Sequence, residues 1–259
     1  MNGSEILKAL ERHFPSELAY EWDNVGLMVG TMNKEVSTIL VTLDVTKDTL
    51  KEAIRLDADL IISHHPLIFS PLKRLHLDTY KGALIEGLIK HDIAVFSAHT
   101  NYDLANGGMN DMLAGRLGLR ETTHLEATDP DHGIGRIGSL PGPLSIEAAI
   151  KHIKQALQID HARYIGNKKD KTVRTVAISG GSGADHAVAA KKKGADLYVT
   201  GDVSYHEAHD MMQLGLRALD VGHTAEKHFK QAMKTWLESL SDNVTVHAYA
   251  PDQDPFTHV

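Results

Sequence analysis

Two adjacent histidines directly follow a short apolar run and are the first candidates for chemistry. The run is ADLIISHH over residues 58–65, and it ends in His64 and His65. If the backbone stays extended at this point, the two side chains point to opposite sides and could bind two different metal ions rather than chelate one. An HHP turn is also an ordinary polar loop, so the pair alone leaves both interpretations open.

Three further candidate ligands follow other predicted elements. Asp103 comes shortly after the run IAVFSAHT (93–100) and could supply a bridging carboxylate, although an aspartate before Asn-Gly-Gly is also common in turns and helix caps. His223 and Glu226 are three residues apart, which places both side chains on one face of the helix that we predict from there to about residue 240. An acidic residue at a helix start also complements the helix dipole.

The composition restricts the kind of metal site that is possible. The chain of 259 residues contains no cysteine, which excludes disulfides, thiolate nucleophiles, iron–sulfur clusters and cysteine-bound zinc. It contains 17 histidines, more than its 14 Trp, Tyr and Phe residues together. Five nitrogen and oxygen ligands exceed the three that a single catalytic zinc usually takes from protein. They suit two ions that share carboxylates.

Short β-rich runs alternate with helical patterns along the chain. The first series has strands within 38–45, 58–65 and 93–100 and helices near 47–56, 80–91 and 108–117. Glycine and proline concentrate at about 121–145, after which strand, helix and strand follow again from TVRTVAISGG to GADLYVTGD. This order predicts an α/β fold made of βαβ units, with strands buried on both faces.

The two series align with each other without a gap. Thr38 matches Thr175 and Ala58 matches Ala195, at a constant offset of 137 positions (175 − 38 and 195 − 58). This similarity predicts an internal duplication. In such sheets ligands bind beyond the carboxyl ends of the strands, where the two copies carry SHHP and TGDVSYH.

Other polar residues at these strand ends are candidates for supporting or catalytic roles. His206 at the end of the second repeat is a candidate general acid or base or an outer partner of a metal ligand, with an ordinary loop histidine as the alternative. His99 could act in the same way by orienting Asp103, and Asp44 fits an outer position. The segment Gly180–Gly183 follows a strand as a phosphate loop would, but it lacks the Lys-Ser/Thr ending.

The charge and hydropathy of the chain indicate which partners and which location to expect. The formal net charge of −7 makes a long basic face improbable on physical grounds, so we do not expect nucleic acid binding. No run approaches the roughly 18 apolar residues of a membrane-spanning helix. The first 15 residues carry scattered charges and lack the apolar centre of a signal peptide, so we expect a cytoplasmic protein without membrane contact.

Seven short motifs are distributed along the chain: AYEWDNVGL (19–27), SHHPLIF (63–69), HTNYD (99–103), GIGRIG (133–138), TGDVSYH (200–206), GHTAE (222–226) and the terminal DPF (254–256). Taken in this order, they resemble the motifs of the NIF3-like family (NGG1-interacting factor 3, DUF34), whose members often carry the name GTP cyclohydrolase 1 type 2 homolog. They extend along nearly the whole chain. Only about 50 residues separate the outer elements of the two repeats, so the chain resembles the short family members without the inserted middle domain.

The resemblance implies two intertwined α/β domains with related strand-helix-strand repeats and mixed sheets. We expect the first domain at 1–125 plus 215–259 and the second at 126–214. The resemblance further implies a toroidal homohexamer with two divalent transition metal ions per subunit. Nitrogen and oxygen donors suit zinc, iron, manganese, cobalt or nickel. Carried over by motif, the ligands are His64, His65, Asp103, His223 and Glu226.

The function that these features favour is metal-dependent hydrolysis of a small, nucleotide-like substrate. His99 and His206 are then the candidate catalytic residues, and Trp22, Tyr102 and Tyr205 are the aromatic side chains near the motifs that could stack on a purine. The alternative is a non-catalytic metal-binding protein whose ring assembly presents an interaction surface or scaffold.

Overall fold

A computed structural model describes residues 1–166, 172–252 and 254–257. Its strands alternate with helices over most of the chain. The strands are β1 (Gly26–Val29), β2 (Thr38–Thr42), β3 (Leu60–Ser63), β4 (Ala94–Ser97), β5 (Arg120–Ala127), β6 (Gly133–Leu144), β7 (Arg163–Ile165), β8 (Val173–Ser182), β9 (Leu197–Gly201), β10 (Ala218–Asp220) and β11 (Thr245–Ala248).

The helices confirm the predicted α/β alternation. The α-helices are α1 (Gly3–His13), α2 (Lys47–Arg55), α3 (Tyr80–Lys90), α4 (Thr100–Leu104), α5 (Met109–Arg116), α6 (Ile146–Leu157), α7 (Ala187–Lys192), α8 (Tyr205–Gln213) and α9 (Phe229–Glu238). Short 3₁₀ helices are formed by Ser16–Leu18, Ala184–His186 and His223–His228.

The chain forms two compact units, each built from two segments of sequence. Unit 1 is Met1–Ala105 with Phe229–Gln253, and unit 2 is Asn106–His228 with Asp254–Val259. The sequence predicts domain boundaries at 125/126 and 214/215. The compact units divide at 105/106 and 228/229, because the pairing of β5 with β6 and of β10 with β9 makes both of these strands part of the second sheet.

Unit 1 contains a five-stranded mixed sheet in the order β1-β4-β3-β2-β11. The four strands from β4 to β11 are parallel, and β1 is antiparallel at the edge. On one face Leu40, Ile61 and Val95 share a core with Ala53 of α2 and Leu88 of α3, and α9 packs against β2 and β11. The central strands are buried on both faces, which explains why their sequences are continuously apolar.

Unit 2 contains a six-stranded mixed sheet in the order β5-β6-β8-β9-β10-β7. Its centre, β8-β9-β10, is parallel, while β5, β6 and β7 pair in antiparallel fashion. Ala177 and Tyr198 of the central strands share a core with Ala190 of α7 and Met211 of α8. The parallel centre leaves the ends of β9 and β10 at the same edge, where polar side chains of this unit collect.

The predicted repeat is present in the strand registers of the two units. In unit 1 Ile39 of β2 lies opposite Leu60 of β3. In unit 2 Val176 of β8 lies opposite Leu197 of β9, which is the same pair moved by 137 positions. Each unit therefore has its own copy of one strand-helix-strand element.

Each copy contains the same pattern of hydrogen bonds, which strengthens this equivalence. The Asp59 carboxylate accepts hydrogen bonds from the backbone N–H groups of Ser37 and Thr38, at 2.7 and 3.0 Å. Asp196, which is 137 positions later, accepts them from the N–H groups at positions 174 and 175, both at 2.9 Å. The aspartate of the ADL tripeptide thus anchors the start of the preceding strand in both units.

Candidate functional site

His64 and His65 lie beyond the carboxyl end of β3 in unit 1. The strand ends at Ser63, and the two histidines form a bend. Their ring centroids are 5.1 Å apart, so the two rings are neighbours. The prediction that the two side chains point to opposite sides is therefore wrong, because the backbone turns directly after the strand.

His64 is the most buried of the candidate ligands in unit 1, with 1% of its surface exposed. Its Nδ1 lies 2.8 Å from the backbone oxygen of Ala98, just beyond the neighbouring strand β4. A carbonyl oxygen only accepts, so Nδ1 carries the proton and the lone pair of the neutral ring is on Nε2. Nε2 is 3.6 Å from Oδ1 of Asp103.

His65 is oriented by Asp44, which follows the next strand, β2. The distance from Nδ1 of His65 to Oδ1 of Asp44 is 2.8 Å. An ionised carboxylate accepts this proton and leaves the lone pair of His65 on Nε2. The sequence predicted an outer position for Asp44, and a hydrogen bond to the far nitrogen of a candidate ligand is the arrangement that such residues have in metal sites.

His99 joins the same cluster from the end of β4. One potential ligand atom from each of His64, His65 and His99 can be chosen so that all three lie within 4.8 Å of one another, and these groups could bind a metal ion. Nδ1 of His99 lies 2.9 Å from Oδ1 of Asp23. Asp23, a carboxylate 76 positions earlier in the chain, therefore orients His99. The predicted role of His99 in orienting Asp103 stays a prediction.

The carboxylate of Asp23 is stabilised in its charged form. Burial by itself would raise the pKa of Asp23, but hydrogen bonds from His99 and from Thr100 outweigh it and lower the pKa to about 2. Oδ2 accepts from the backbone N–H of Thr100 at 3.1 Å and from its hydroxyl at 2.5 Å. The motif AYEWDNVGL thus supplies a buried anion that holds His99 in place.

Asp103 lies on the short helix α4, which begins directly after His99. Its backbone N–H donates to the oxygen of His99 at 3.0 Å, and its side chain is mostly buried. Because α4 follows β4, while His64 follows the adjacent parallel strand β3, the two side chains meet at one edge of the sheet.

His223 and Glu226 are close to each other in unit 2. They lie in the 3₁₀ helix His223–His228, and α9 begins only after it. A 3₁₀ helix has three residues per turn, so side chains three positions apart are directly in line. Nε2 of His223 is 3.2 Å from Oε2 of Glu226, whose side chain is buried. The predicted shared face is therefore present, in a tighter helix than the sequence indicated.

The repeat relates Asp103 to Glu226. In unit 1 Ile61 lies opposite Val95, and in unit 2 the residue 137 positions after Ile61, Tyr198, lies opposite Ala218. The third strands therefore correspond at an offset of 123 positions (218 − 95). The same offset relates Asp103 to Glu226 and the start of α4 to the start of the 3₁₀ helix. Both copies thus place an acidic residue three positions into the helix that follows the third strand.

Asp202 orients His223. The sequence did not indicate this residue and pointed to His206 in the same motif. Oδ2 of Asp202 is 2.7 Å from Nδ1 of His223. Asp202 has a φ of 53°, a left-handed conformation that is uncommon for residues other than glycine. Asp202 follows β9 and His223 follows β10, so the two residues lie in different loops. No local sequence signal connects them, because only the parallel pairing of β9 with β10 brings the two loops together.

His206 lies on the first turn of α8, and its side chain is exposed. Its ring contacts that of Tyr205, with a centroid distance of 5.4 Å. Within the described residues, His206 is not part of any group of histidines and acidic residues close enough to share one ion. A catalytic role for His206 stays a prediction.

The glycines of Gly180–Gly183 make room for the carboxylate of Glu226. A Cβ at Gly181, whose φ is +60°, would lie 2.9 Å from Oε1 of Glu226, and a Cβ at Gly180 would lie 3.0 Å from the same atom. The N–H of Gly180 donates to the side chain of Asn110, and that of Gly183 donates to Thr200. These contacts explain why glycines are required at these positions, and the explanation needs no phosphate or other anion bound in the loop.

The four histidines share one arrangement. In His64, His65, His99 and His223, Nδ1 faces an oxygen that can accept its proton. Nε2 of His64 and Nε2 of His223 face carboxylate oxygens, at 3.6 and 3.2 Å, where a cation could lie between them. This is how metal-ligating histidines are usually held, and imidazole with carboxylate suits divalent transition metals. The residues of each unit therefore have the chemistry that a metal ion requires. No helix in the described ranges of the chain has the length and apolar character needed to span a bilayer.

Comparison with protein families and curated proteins gives a consistent result. The sequence profile of the family Duf34/NIF3 (NGG1p interacting factor 3) matches residues 1–255. A GTP cyclohydrolase 1 type 2 homolog of Streptococcus pneumoniae serotype 4 is 38% identical over 266 aligned positions, which cover 100% of both chains. The homolog of Bacillus subtilis strain 168 is 30% identical over 368 positions, covering 99% of this chain and 98% of the relative. The longer alignment shows that this relative contains additional internal residues, which fits the short form expected here.

Solved structures show the same fold. A Bacillus cereus protein related to NIF3 superposes with a TM-score of 0.95 at 34% identity, covering 100% of this chain and 99% of the other. Reduced HcgD from Methanocaldococcus jannaschii superposes with a TM-score of 0.82 at 28% identity, covering 96% of this chain and 98% of that one.

Proposed function

The chain belongs to the Duf34/NIF3 family, and from this premise we propose that it is a metal-dependent hydrolase acting on a nucleotide-like substrate. The proposal assigns His64, His65, Asp103, His223 and Glu226 as the ligands of two divalent transition metal ions. The assignment of all five to one dinuclear site comes from the family's ligand pattern, and the geometry within each unit supports the ligand chemistry of its own members.

The observation that carries the proposal is the grouping of histidines whose Nδ1 is held by an oxygen. Histidines elsewhere in the chain, such as His91, His132 and His186, also direct Nδ1 at an oxygen, but within the described residues they belong to no group close enough to share one ion. His64, His65 and His99 are held through Ala98, Asp44 and Asp23 and do form such a group, and His223 is held by Asp202 beside Glu226. Such partners fix the ring and raise the basicity of the opposite nitrogen, which makes Nε2 the ligand or base atom.

Two metal ions, when bound, would lower the pKa of a bound water and polarise the bond to be hydrolysed. The residues of the chain would then have distinct tasks. His64, His65 and His223 would present Nε2 as ligand atoms, and the carboxylates of Asp103 and Glu226 would balance the positive charge. Zinc, iron, manganese, cobalt and nickel all accept this donor set.

His99 has two possible tasks within this proposal, and Asp23 supports both. With its proton on Nδ1, it can accept a proton at Nε2 as a general base, and the buried anion of Asp23 would stabilise the imidazolium that results. The same Nε2 could also bind an ion, since His99 is close to His64 and His65. A second catalytic histidine, His206, is retained in the proposal as an acid or base.

The proposal is tested first by metal content. Protein purified without added metal or chelator should contain close to two transition metal ions per chain, measured by mass spectrometry on the desalted sample. The same sample should hydrolyse GTP or a generic phosphodiester. Two ions without turnover of either substrate would favour the alternative function, a non-catalytic metal-binding scaffold, and no metal after reconstitution would refute the site.

A double variant makes the test specific to the ligands. His64→Ala with His65→Ala should lose the metal and any hydrolysis and keep the circular dichroism of the wild type, because both residues lie in a bend outside the strands. His91→Ala, at an exposed position after α3, is the matched control and should keep both metal and turnover. Full metal stoichiometry in the double variant would contradict the assignment.

The homohexamer implied by the family resemblance belongs to the same proposal. Native mass spectrometry should find six copies of the 28.4 kDa chain. A monomer or dimer at micromolar concentration would contradict this part of the proposal without affecting the ligand assignment.

A further inference from the structure

Trp22 is held beside the histidine cluster of unit 1 by a tight turn. The backbone N–H of Asp23 donates to the oxygen of Tyr20 at 2.9 Å, and the Asp23 side chain is anchored to His99. The indole between these two anchors is 58% exposed. Its ring lies edge to face with that of His99, at a centroid distance of 6.2 Å.

Phe69 extends the exposed aromatic surface from a second loop. It follows His65 by four residues and is 47% exposed. The loop is tied to the first turn, because the side-chain amide of Asn24 donates to the backbone oxygen of Ile68 at 2.5 Å. The rings of Trp22 and Phe69 are 5.9 Å apart. We name these two side chains the Trp22–Phe69 surface.

The surface is arranged to receive a flat ring. Tyr20 stacks on the indole of Trp22 at 5.5 Å with an angle of 24° between the planes, so it covers one face. With Tyr20 on one face of the indole, 58% of the surface of Trp22 is still exposed. An exposed indole costs free energy in water, and the turn that holds it also fixes a residue of the candidate metal cluster.

Tyr102 and Tyr205, the other two aromatic residues that the sequence offered for stacking, do not offer such a surface. Tyr102 is 2% exposed and packs its ring against Phe14 and Phe229 in the core of unit 1. Tyr205 of unit 2 is exposed on α8, where it contacts His206 and His209. Among the residues that the structure describes, its ring contacts are to these two histidines, neither of which orients a candidate ligand.

We propose that the Trp22–Phe69 surface binds the base of a nucleotide-like substrate by stacking. This inference rests on the proposed function, and it names the part of the substrate that unit 1 recognises. A purine stacked on Trp22 would lie next to His99 and within reach of the His64–His65 bend. Stacking of a base on an aromatic side chain contributes about 1–3 kcal/mol, which corresponds to a change in affinity of about 5- to 150-fold.

Fluorescence provides a direct test, because the chain has two tryptophans. Trp236 packs against His13 and Phe14. In the variant Trp236→Phe the emission comes from Trp22 alone. Titration of the metal-loaded variant with GTP should quench this emission to saturation, whereas inorganic triphosphate with ribose 5-phosphate, which lack the base, should leave it unchanged.

Affinities of variants measured by calorimetry complete the test. Trp22→Ala should weaken GTP binding by about 10-fold or more, Trp22→Phe should retain most of the affinity, and Phe69→Ala should have an intermediate effect. Ile89→Ala removes a comparably exposed apolar side chain on α3, 61% against 58% for Trp22, and should bind GTP as the wild type does. All variants should keep the wild-type metal content.

Several outcomes would overturn the stacking proposal. These are an unchanged Kd in Trp22→Ala, equal quenching by the base-free probes, or no binding of GTP to the wild type at millimolar concentration. If Trp22→Ala changed the mass of the assembly and left the GTP affinity unchanged, the Trp22–Phe69 surface would be a protein interface instead.

The proposed function fails by different results. Quenching by GTP in a chain that holds no metal and turns over no substrate would keep the stacking surface and refute the hydrolase. Metal-dependent turnover of GTP with the same KM in Trp22→Ala and wild type would refute the stacking surface alone.

Discussion

Replacing Asp23 by asparagine should destabilise unit 1 in a manner that depends on pH. The side chain of Asp23 is fully buried, and its pKa is lowered from 3.8 to about 2 by the hydrogen bonds from His99 and Thr100 that outweigh its burial. A difference of nearly two pKa units corresponds to about 2 kcal/mol of stability. Asparagine has nearly the same shape but carries no charge, so it should lose most of this amount at pH 7.

The sign of the pH dependence follows from the direction of the pKa shift. A carboxylate whose pKa is lower in the folded state stabilises the fold above its unfolded pKa, near 4. This contribution disappears as the pH falls through the folded value, about 2. The difference in the free energy of unfolding between wild type and Asp23→Asn should therefore be about 2 kcal/mol at pH 7 and approach zero near pH 2.

Urea denaturation followed by tryptophan fluorescence measures this difference, because Trp22 and Trp236 both belong to unit 1. The control is Asp48→Asn, which removes an exposed carboxylate paired with Lys51 and should change stability by less than about 0.5 kcal/mol. A difference for Asp23→Asn that stays the same from pH 7 to pH 2.5 would refute the argument, since a purely steric effect has no titration.

Three further predictions concern unit 2. Asp111→Ala should destabilise it by about 3 kcal/mol, because the buried guanidinium of Arg136 would lose a carboxylate that accepts two of its hydrogen bonds; hydrogen exchange of the β6 amides measures the loss, and unchanged exchange would contradict it. Gly181→Ala should cost more stability than Gly194→Ala, since both glycines have positive φ but only the first has a close neighbour, the carboxylate of Glu226; equal losses in thermal denaturation would show that Glu226 is not affected. Asp202→Asn should weaken metal binding about 10- to 100-fold in a chelator competition, because the acceptor for Nδ1 of His223 loses its charge; an unchanged affinity would exclude His223 as a ligand held by Asp202.

The candidate ligands could be found in the sequence because each follows a recognisable local pattern. An apolar run of four to eight residues indicates a buried strand, and ligands of α/β sheets lie beyond the carboxyl ends of such strands. His64 and His65 after β3 and Asp103 after β4 satisfy this rule directly.

The bend at His64–His65 and the 3₁₀ helix at His223–His228 could not be predicted in the same way. Both depend on how the chain leaves a strand, which is decided by a few hydrogen bonds rather than by periodicity. The N–H groups of His64 and His65 donate to the backbone oxygens of Thr42 and Leu43, at 3.3 and 3.0 Å. These contacts follow the neighbouring strand and turn the chain away from an extended path.

By itself, the sequence determined the order of strands and helices, the repeat and the histidines and acidic residues available for metal binding. These properties follow from apolar periodicity and residue type, which are local. Apart from Asp44, for which the sequence predicted an outer position, the partners that orient those residues were decided by the tertiary structure. Asp23 meets His99 across 76 positions, and Asp202 meets His223 across 21, because adjacent strands and loops bring them together. Such pairs leave no periodic trace in the chain, since a hydrogen bond between distant residues requires only that the fold place two atoms about 2.8 Å apart.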